Sequence, residues 1–132
     1  MKLSDGKLNI VTGSVPDVRP YLDIATLTCI PLLTGSGTKY KVLEAASIGV
    51  PIVCTPLALE GLSLKPDEHA LVGEGDDDLA RAILKIISDP QSYADVAIRA
   101  AAHAKKHYSW DANLDKLDSW LDLIKRLPRR GL

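Results

Sequence analysis

The 132-residue chain sets 16 Lys and Arg against 17 Asp and Glu, for a formal net charge of −1, with 46% hydrophobic residues. That balance excludes a global electrostatic footprint for nucleic acid or an anionic membrane. No apolar stretch approaches the roughly 20 residues that span a bilayer, and Met1–Asp5 does not read as a signal peptide. The length suits a single domain over residues 1–132 with a real core, cytosolic by default.

Taken in chain order, Leu8–Thr12 reads as a strand ended by Gly13. Asp17 is placed to cap a short helix carrying Val18, Tyr21, Leu22 and Ile24, with Pro20 tolerated in its first turn. Leu27–Leu33 is a continuous apolar run, the pattern of a strand buried on both faces of a parallel sheet. A helical pattern runs from about Thr38 to Ile48 and stops at Gly49, a natural left-handed C-cap, with Pro51 behind it. Pro51–Thr55 is a third strand, Pro56–Ala70 a looser segment broken by Gly61 and Pro66, and Leu71–Val72 a short strand.

The remainder is helical. Asp76, Asp77 and Asp78 load the N-terminus of a helix whose apolar face is Leu79, Ile83, Ile86 and Ile87, complementing its dipole. Asp89 caps the next helix with Pro90 at its first position, and Tyr93, Val96, Ala97, Ala100, Ala101 and Ala104 give it a small-residue stripe for close packing. Ser109 caps a last helix with Leu114, Leu117, Leu121 and Ile124 facing one way, Trp110 and Trp120 anchoring it, and a frayed basic tail from Arg126 to Leu132. Strand, helix, strand, helix, strand is the alternation of an α/β fold with a parallel, Rossmann-like sheet, flanking helices and a helical C-terminus.

Ligands of such sheets bind at the carboxyl ends of the strands. The turns after Thr12, Leu33 and Thr55 are expected on that rim. The one after Leu33, Gly35-Ser36-Gly37-Thr38-Lys39, sits where strand hands over to helix. Backbone N–H groups there point outward at the positive end of a helix dipole, which favours an anion, typically a phosphate. Lys39 and Lys41 add positive charge, and Glu44, about two turns on, suits a ribose. The plain alternatives are a tight turn that binds nothing and a Glu44 that is solvated or paired with Lys41 or Lys39.

Other candidates read as structural. Cys29 and Cys54 lie in apolar strand-like runs and are expected as two buried thiols rather than a disulfide or metal pair. His103 and His107 share a helix face without a third metal ligand at suitable spacing, as solvated residues near Lys105 and Lys106. His69 is expected as a hydrogen-bonding loop residue. The sequence carries no Ser-His-Asp constellation, Walker sequence or zinc pattern, and no metal or cofactor is implied.

Several phrases together resemble the C-terminal half of a retaining GT-B glycosyltransferase, group 1 and family 4-like. They are Val11–Leu22, Pro31–Lys39, Lys41–Ala46 and Gly49–Thr55, followed by Glu60-Gly61-Leu62, His69–Val72 and Tyr108-Ser109-Trp110. The resemblance runs from about Leu8 to Trp110. It implies transfer of a sugar from a nucleoside-diphosphate donor to an acceptor, such as a saccharide or lipid-linked one, with retention at the anomeric carbon. The donor would lie on this half and the acceptor mostly on an N-terminal domain. Carried over, Gly35, Ser36, Gly37, Thr38 and Lys39 contact the diphosphate or sugar. Glu44 matches the second glutamate of the family's two-glutamate motif and accepts from ribose hydroxyls. Gly13, Ser14 and Val15 border the base. The implied location is cytoplasmic, peripheral to the inner membrane in the full enzyme.

Two departures accompany the resemblance. The motif's first glutamate falls at Ser36, so the carboxylate contact to the donor sugar is absent. The family's domain also starts with two further strands and their helices, which this chain has no room for. In the order 3-2-1-4-5-6 those strands lie mid-sheet. The chain is then a fragment, or its exposed edge is closed otherwise, by the absent domain or by a second copy in a homodimer. Three readings follow: the donor-binding half of a glycosyltransferase inactive alone, a stand-alone nucleotide- or phosphate-binding module, and a remnant whose turn is empty.

Overall fold

A three-stranded parallel sheet organises the computed structural model, which describes residues 9–126. The elements are α1 (Arg19–Asp23), β1 (Thr28–Ile30), α2 (Tyr40–Ile48), β2 (Ile52–Cys54), α3 (Pro56–Leu59), β3 (Leu71–Val72), α4 (Asp76–Ser88), α5 (Pro90–Tyr108) and α6 (Trp110–Arg126). The strands lie in the order β1-β2-β3, with Thr28, Cys29 and Ile30 opposite Ile52, Val53 and Cys54, and Val53 and Cys54 opposite Leu71 and Val72. This is the α/β class expected from the alternation.

Side chains alternate across a strand, and the register divides them into two layers. Ile30, Ile52 and Cys54 point to the side covered by α2 and α5, where they meet Val42, Ala45, Ala46, Ala100 and Ala104. Val53 and Leu71 point to the other side, where Leu79, Ala82 and Ile86 of α4 join Val96. All three residues of the central β2 are buried. The alanines of α5 let it approach α2 closely, as the small-residue stripe predicts. Burying each Val, Leu or Ile side chain stabilises the fold by about 1.5–3 kcal/mol.

Local signals are obeyed at the helix ends. Gly49 adopts φ 82°, and Gly49 N and Val50 N both donate to Ala45 O, closing α2 with a left-handed cap. Asp89 accepts from Ser92 N at 3.2 Å at the start of α5. Ser109 Oγ accepts from Ala112 N at 3.2 Å, with extended backbone at Ser109 that bends α6 away from α5. Asp17 acts one position outside the cap, accepting from Arg19 N at 2.9 Å while binding its guanidinium.

Several expectations fail. Residues 9–12 form no strand, and Ile10 and Val11 are exposed; Leu8 lies outside the described residues. A strand needs a neighbour to satisfy its backbone, and the outer edge of β1 has none among the described residues. No described strand therefore leads into the turn after Thr12. Cys29 is exposed while Cys54 is buried, because Cys29 faces the α4 side on the outermost strand and α4 packs on β2 and β3. Ile87 is exposed on α4. On α6 no described residue is buried. Trp110 and Trp120 are 83% and 66% exposed rather than buried as anchors, and among the described residues the stripe Leu114, Leu117, Leu121 and Ile124 is left about half exposed. Of the expected basic tail, only Arg126 is described, as the last residue of α6.

Candidate functional site

The turn from β1 to α2 is built by its glycines. Gly35 has φ 146° and Gly37 φ 83°, backbone states that side chains with a Cβ rarely adopt. A Cβ at either would meet nothing within 4 Å, so conformation rather than space requires glycine here. The turn is exposed from Gly35 to Thr38.

Its amides are available. Tyr40 N donates to Thr38 O and Val42 N to Lys39 O, while the N–H groups of Gly35, Ser36, Gly37, Thr38, Lys39 and Lys41 donate to no described protein group. They surround the positive end of α2, a nine-residue helix. Beneath them Lys39 is buried, and its Nζ donates to Gly35 O at 3.3 Å. The ammonium thus lies under the turn and adds its charge from below.

The rim is fixed from the core side. Thr55 is buried at the end of β2, and its Oγ1 donates to Leu32 O at 2.7 Å. Sequence reasoning missed this bond. A threonine ending an apolar strand was its only trace.

Glu44, exposed on α2, borders two concavities. One, of about 800 Å³, runs between α2 and the α5–α6 elbow and is lined by Thr38, Tyr40, Leu43, Tyr108 and Trp110 among others. The second, of about 390 Å³, follows the outer edge of β1, with Lys41, Leu22 and Cys29 in its wall. The structure therefore brings Thr38, Lys41 and Glu44 to the walls of the grooves. Gly35, Ser36, Gly37 and Lys39 form the adjoining turn, while Gly13, Ser14 and Val15 line neither groove. Tyr40 and Trp110 were not anticipated as lining residues, since only the α5–α6 bend carries Trp110 there.

The histidines also depart from expectation. His69 is buried and hydrogen-bonded as a loop residue should be, with Nδ1 accepting from Lys65 N at 3.0 Å. His103 and His107 are half-buried rather than solvated, and their rings lie in tilted contact. Burial holds the His69 and His103 imidazoles below their usual range. Among the described residues no three His, Cys, Asp or Glu side chains are arranged to hold a metal ion, and no helix is long and apolar enough to cross a membrane.

A family model for glycosyl transferases group 1 matches residues 2–89, two thirds of the 132 residues. The chain belongs to this family. The glycosyl transferases group 1 match takes in the sheet, the glycine turn, Thr55 and all of α4, and it stops where α5 begins. No curated protein and no solved structure matches. Family and fold together give a glycosyltransferase-related domain with a small parallel sheet and flanking helices, consistent with part of a glycosyltransferase C-terminal domain.

Proposed function

We propose that this glycosyltransferase-family chain, as a single domain, holds the nucleoside diphosphate of a sugar donor on the Gly35–Lys39 turn. The reading rests on six amides, Gly35 to Lys39 and Lys41, left free at a helix N-terminus on the carboxyl rim of a parallel sheet. Such amides and the buried Lys39 ammonium stabilise the negative charge that develops on a departing diphosphate, and one preorganised donor contributes about 3 kcal/mol of barrier. Glu44 accepts from the ribose hydroxyls, and Gly13, Ser14 and Val15 border the base. The reaction is the transfer of a hexose-type sugar to a saccharide or lipid-linked acceptor with retention, as in polysaccharide synthesis by a GT-B enzyme in the cytoplasm. With the acceptor bound by a separate N-terminal domain, the isolated chain turns over no donor.

Among the described residues no strand pairs with the outer edge of β1 and the apolar face of α6 is exposed, and in the isolated chain a second copy covers them as a homodimer. Light scattering giving a clean monomer overturns that assignment. For the donor site, calorimetric titration with UDP, GDP and inorganic diphosphate is the test. Saturable binding of a nucleoside diphosphate supports it, and absence of heat with all three ligands overturns it.

A further inference from the structure

All three histidines of the chain meet beside α5. The His103 ring centroid lies 4.5 Å from that of His69, tilted 51°, and 4.3 Å from that of His107, tilted 35°. His69 is 4% exposed and ends the turn closed by Asp67 N donating to Ala70 O and His69 N donating to Lys65 O. His69 Nδ1 accepts from Lys65 N at 3.0 Å, so the neutral ring carries its proton on Nε2, 3.6 Å from Glu68 Oε1. His103 Nε2 is 2.8 Å from Ser63 Oγ, which lies 3.0 Å from the Tyr108 hydroxyl. Ser63 N donates to the Tyr108 oxygen at 2.6 Å. Ser63 is thereby held against α5 by His103 and Tyr108, and His69 at the other end lies against His103.

We propose that the His69–His103 contact is an acid-sensitive latch, clamping the 63–69 segment to α5 while both rings are neutral and releasing it when they take up protons. Protonated His69 presents N–H at Nδ1 to the Lys65 N–H, turning a hydrogen bond into a donor–donor clash inside the core. Protonated neighbours within 4.3–4.5 Å repel one another.

The surroundings oppose charge on the rings. His69 is held below its usual range by burial first, then by Lys65 and Arg99, with Glu68 acting against them. For His103 the order is burial, His69 and His107, then Lys65, again with Glu68 opposing. Arg99 of α5 donates from Nε to Glu68 O at 3.0 Å, and Lys116 of α6 reaches His107 O at 3.4 Å. Among the described residues Glu68 is the carboxylate acting on His69 and His103, and Lys65 Nζ already binds it at 3.1 Å. With folded values below the unfolded value of about 6.5, the latch is intact above that pH and weakens as pH falls through and below it.

The test is amide hydrogen exchange on the full chain at about pH 7.5 and about pH 5.5, corrected for the intrinsic pH dependence, spanning the unfolded histidine value of about 6.5. Acidification is expected to cost the amides of residues 64, 65 and 67–70 a measurable part of their protection, while β2 amides keep theirs. His103→Gln, neutral at every pH, is expected to shrink that step by removing the ring–ring repulsion, leaving the part that comes from the His69 Nδ1 clash. Equal protection at both pH values, or a full step retained in H103Q, overturns the latch. NMR titration of the unmodified chain tests it without a variant. His69 and His103 midpoints below about 6.5 support it, and midpoints at or above that value overturn it.

Discussion

Thr55 Oγ1 donates to Leu32 O at 2.7 Å, locking the end of β2 to the segment that runs from β1 into the glycine turn. The buried Thr55 side chain reaches a backbone carbonyl two residues beyond β1 and three before Gly35. It makes the turn's position a property of the core. Replacing Thr55 by Val removes the donor and leaves the Leu32 carbonyl without it. A loss of about 1–2 kcal/mol in urea unfolding is expected, together with weaker binding of nucleoside diphosphate. A T55V chain with unchanged stability and affinity would show that the rim is held by other contacts.

Gly37 carries the second prediction. Its φ of 83° is unsuited to alanine although the space is open, so Gly37→Ala either strains the turn by about 1–2 kcal/mol or flips it. Either result disturbs the free amides. Calorimetry should record a diphosphate affinity at least about tenfold weaker, since about 1.4 kcal/mol is a factor of ten. Undiminished affinity would mean the amides near Gly37 do not touch the ligand.

Glu44 separates ribose from phosphate. Glu44→Ala should weaken a nucleoside diphosphate more than inorganic diphosphate, because only the former offers hydroxyls to a carboxylate. Glu44 is exposed, so the accompanying stability change is expected to stay within about 0.5 kcal/mol. Equal loss for the two ligands refutes the ribose role.

The cysteines differ in reactivity. Burial, with a smaller contribution from Cys29, pushes the Cys54 thiol up to about 12. At about pH 8 only about one part in ten thousand is thiolate. Cys29 is exposed, although partial desolvation raises it too. A thiol reagent should therefore modify one group quickly, and Cys29→Ser should abolish that phase. A fast phase surviving in C29S would indicate that β2 opens readily.

What the sequence made legible was local. The left-handed cap at Gly49, the Asp89 cap, the acidic start of α4 and the buried run of β2 follow from residues within a turn or two. Leu8–Thr12 failed as a strand over its described part, 9–12, because apolar alternation cannot supply a neighbour, and no strand pairs with it there. Cys29 was misplaced because its exposure depends on β1 being the edge strand. The apolar stripe of α6 was read correctly as a stripe, yet none of its residues is buried among the described ones. The glycine turn was legible as a turn. The burial of Lys39 under it, the Thr55 bond and the contact of His69 with His103 join parts of the chain whose approach only the fold decides.

Backbone 15N–1H spectra of the chain recorded during titration with a nucleoside diphosphate test the donor site most directly. Saturable shifts are expected at Gly35, Ser36, Gly37, Thr38, Lys39 and Lys41, whose N–H groups no described protein atom accepts. Shifts confined to other residues, or spectra unchanged at saturating ligand, would contradict the account.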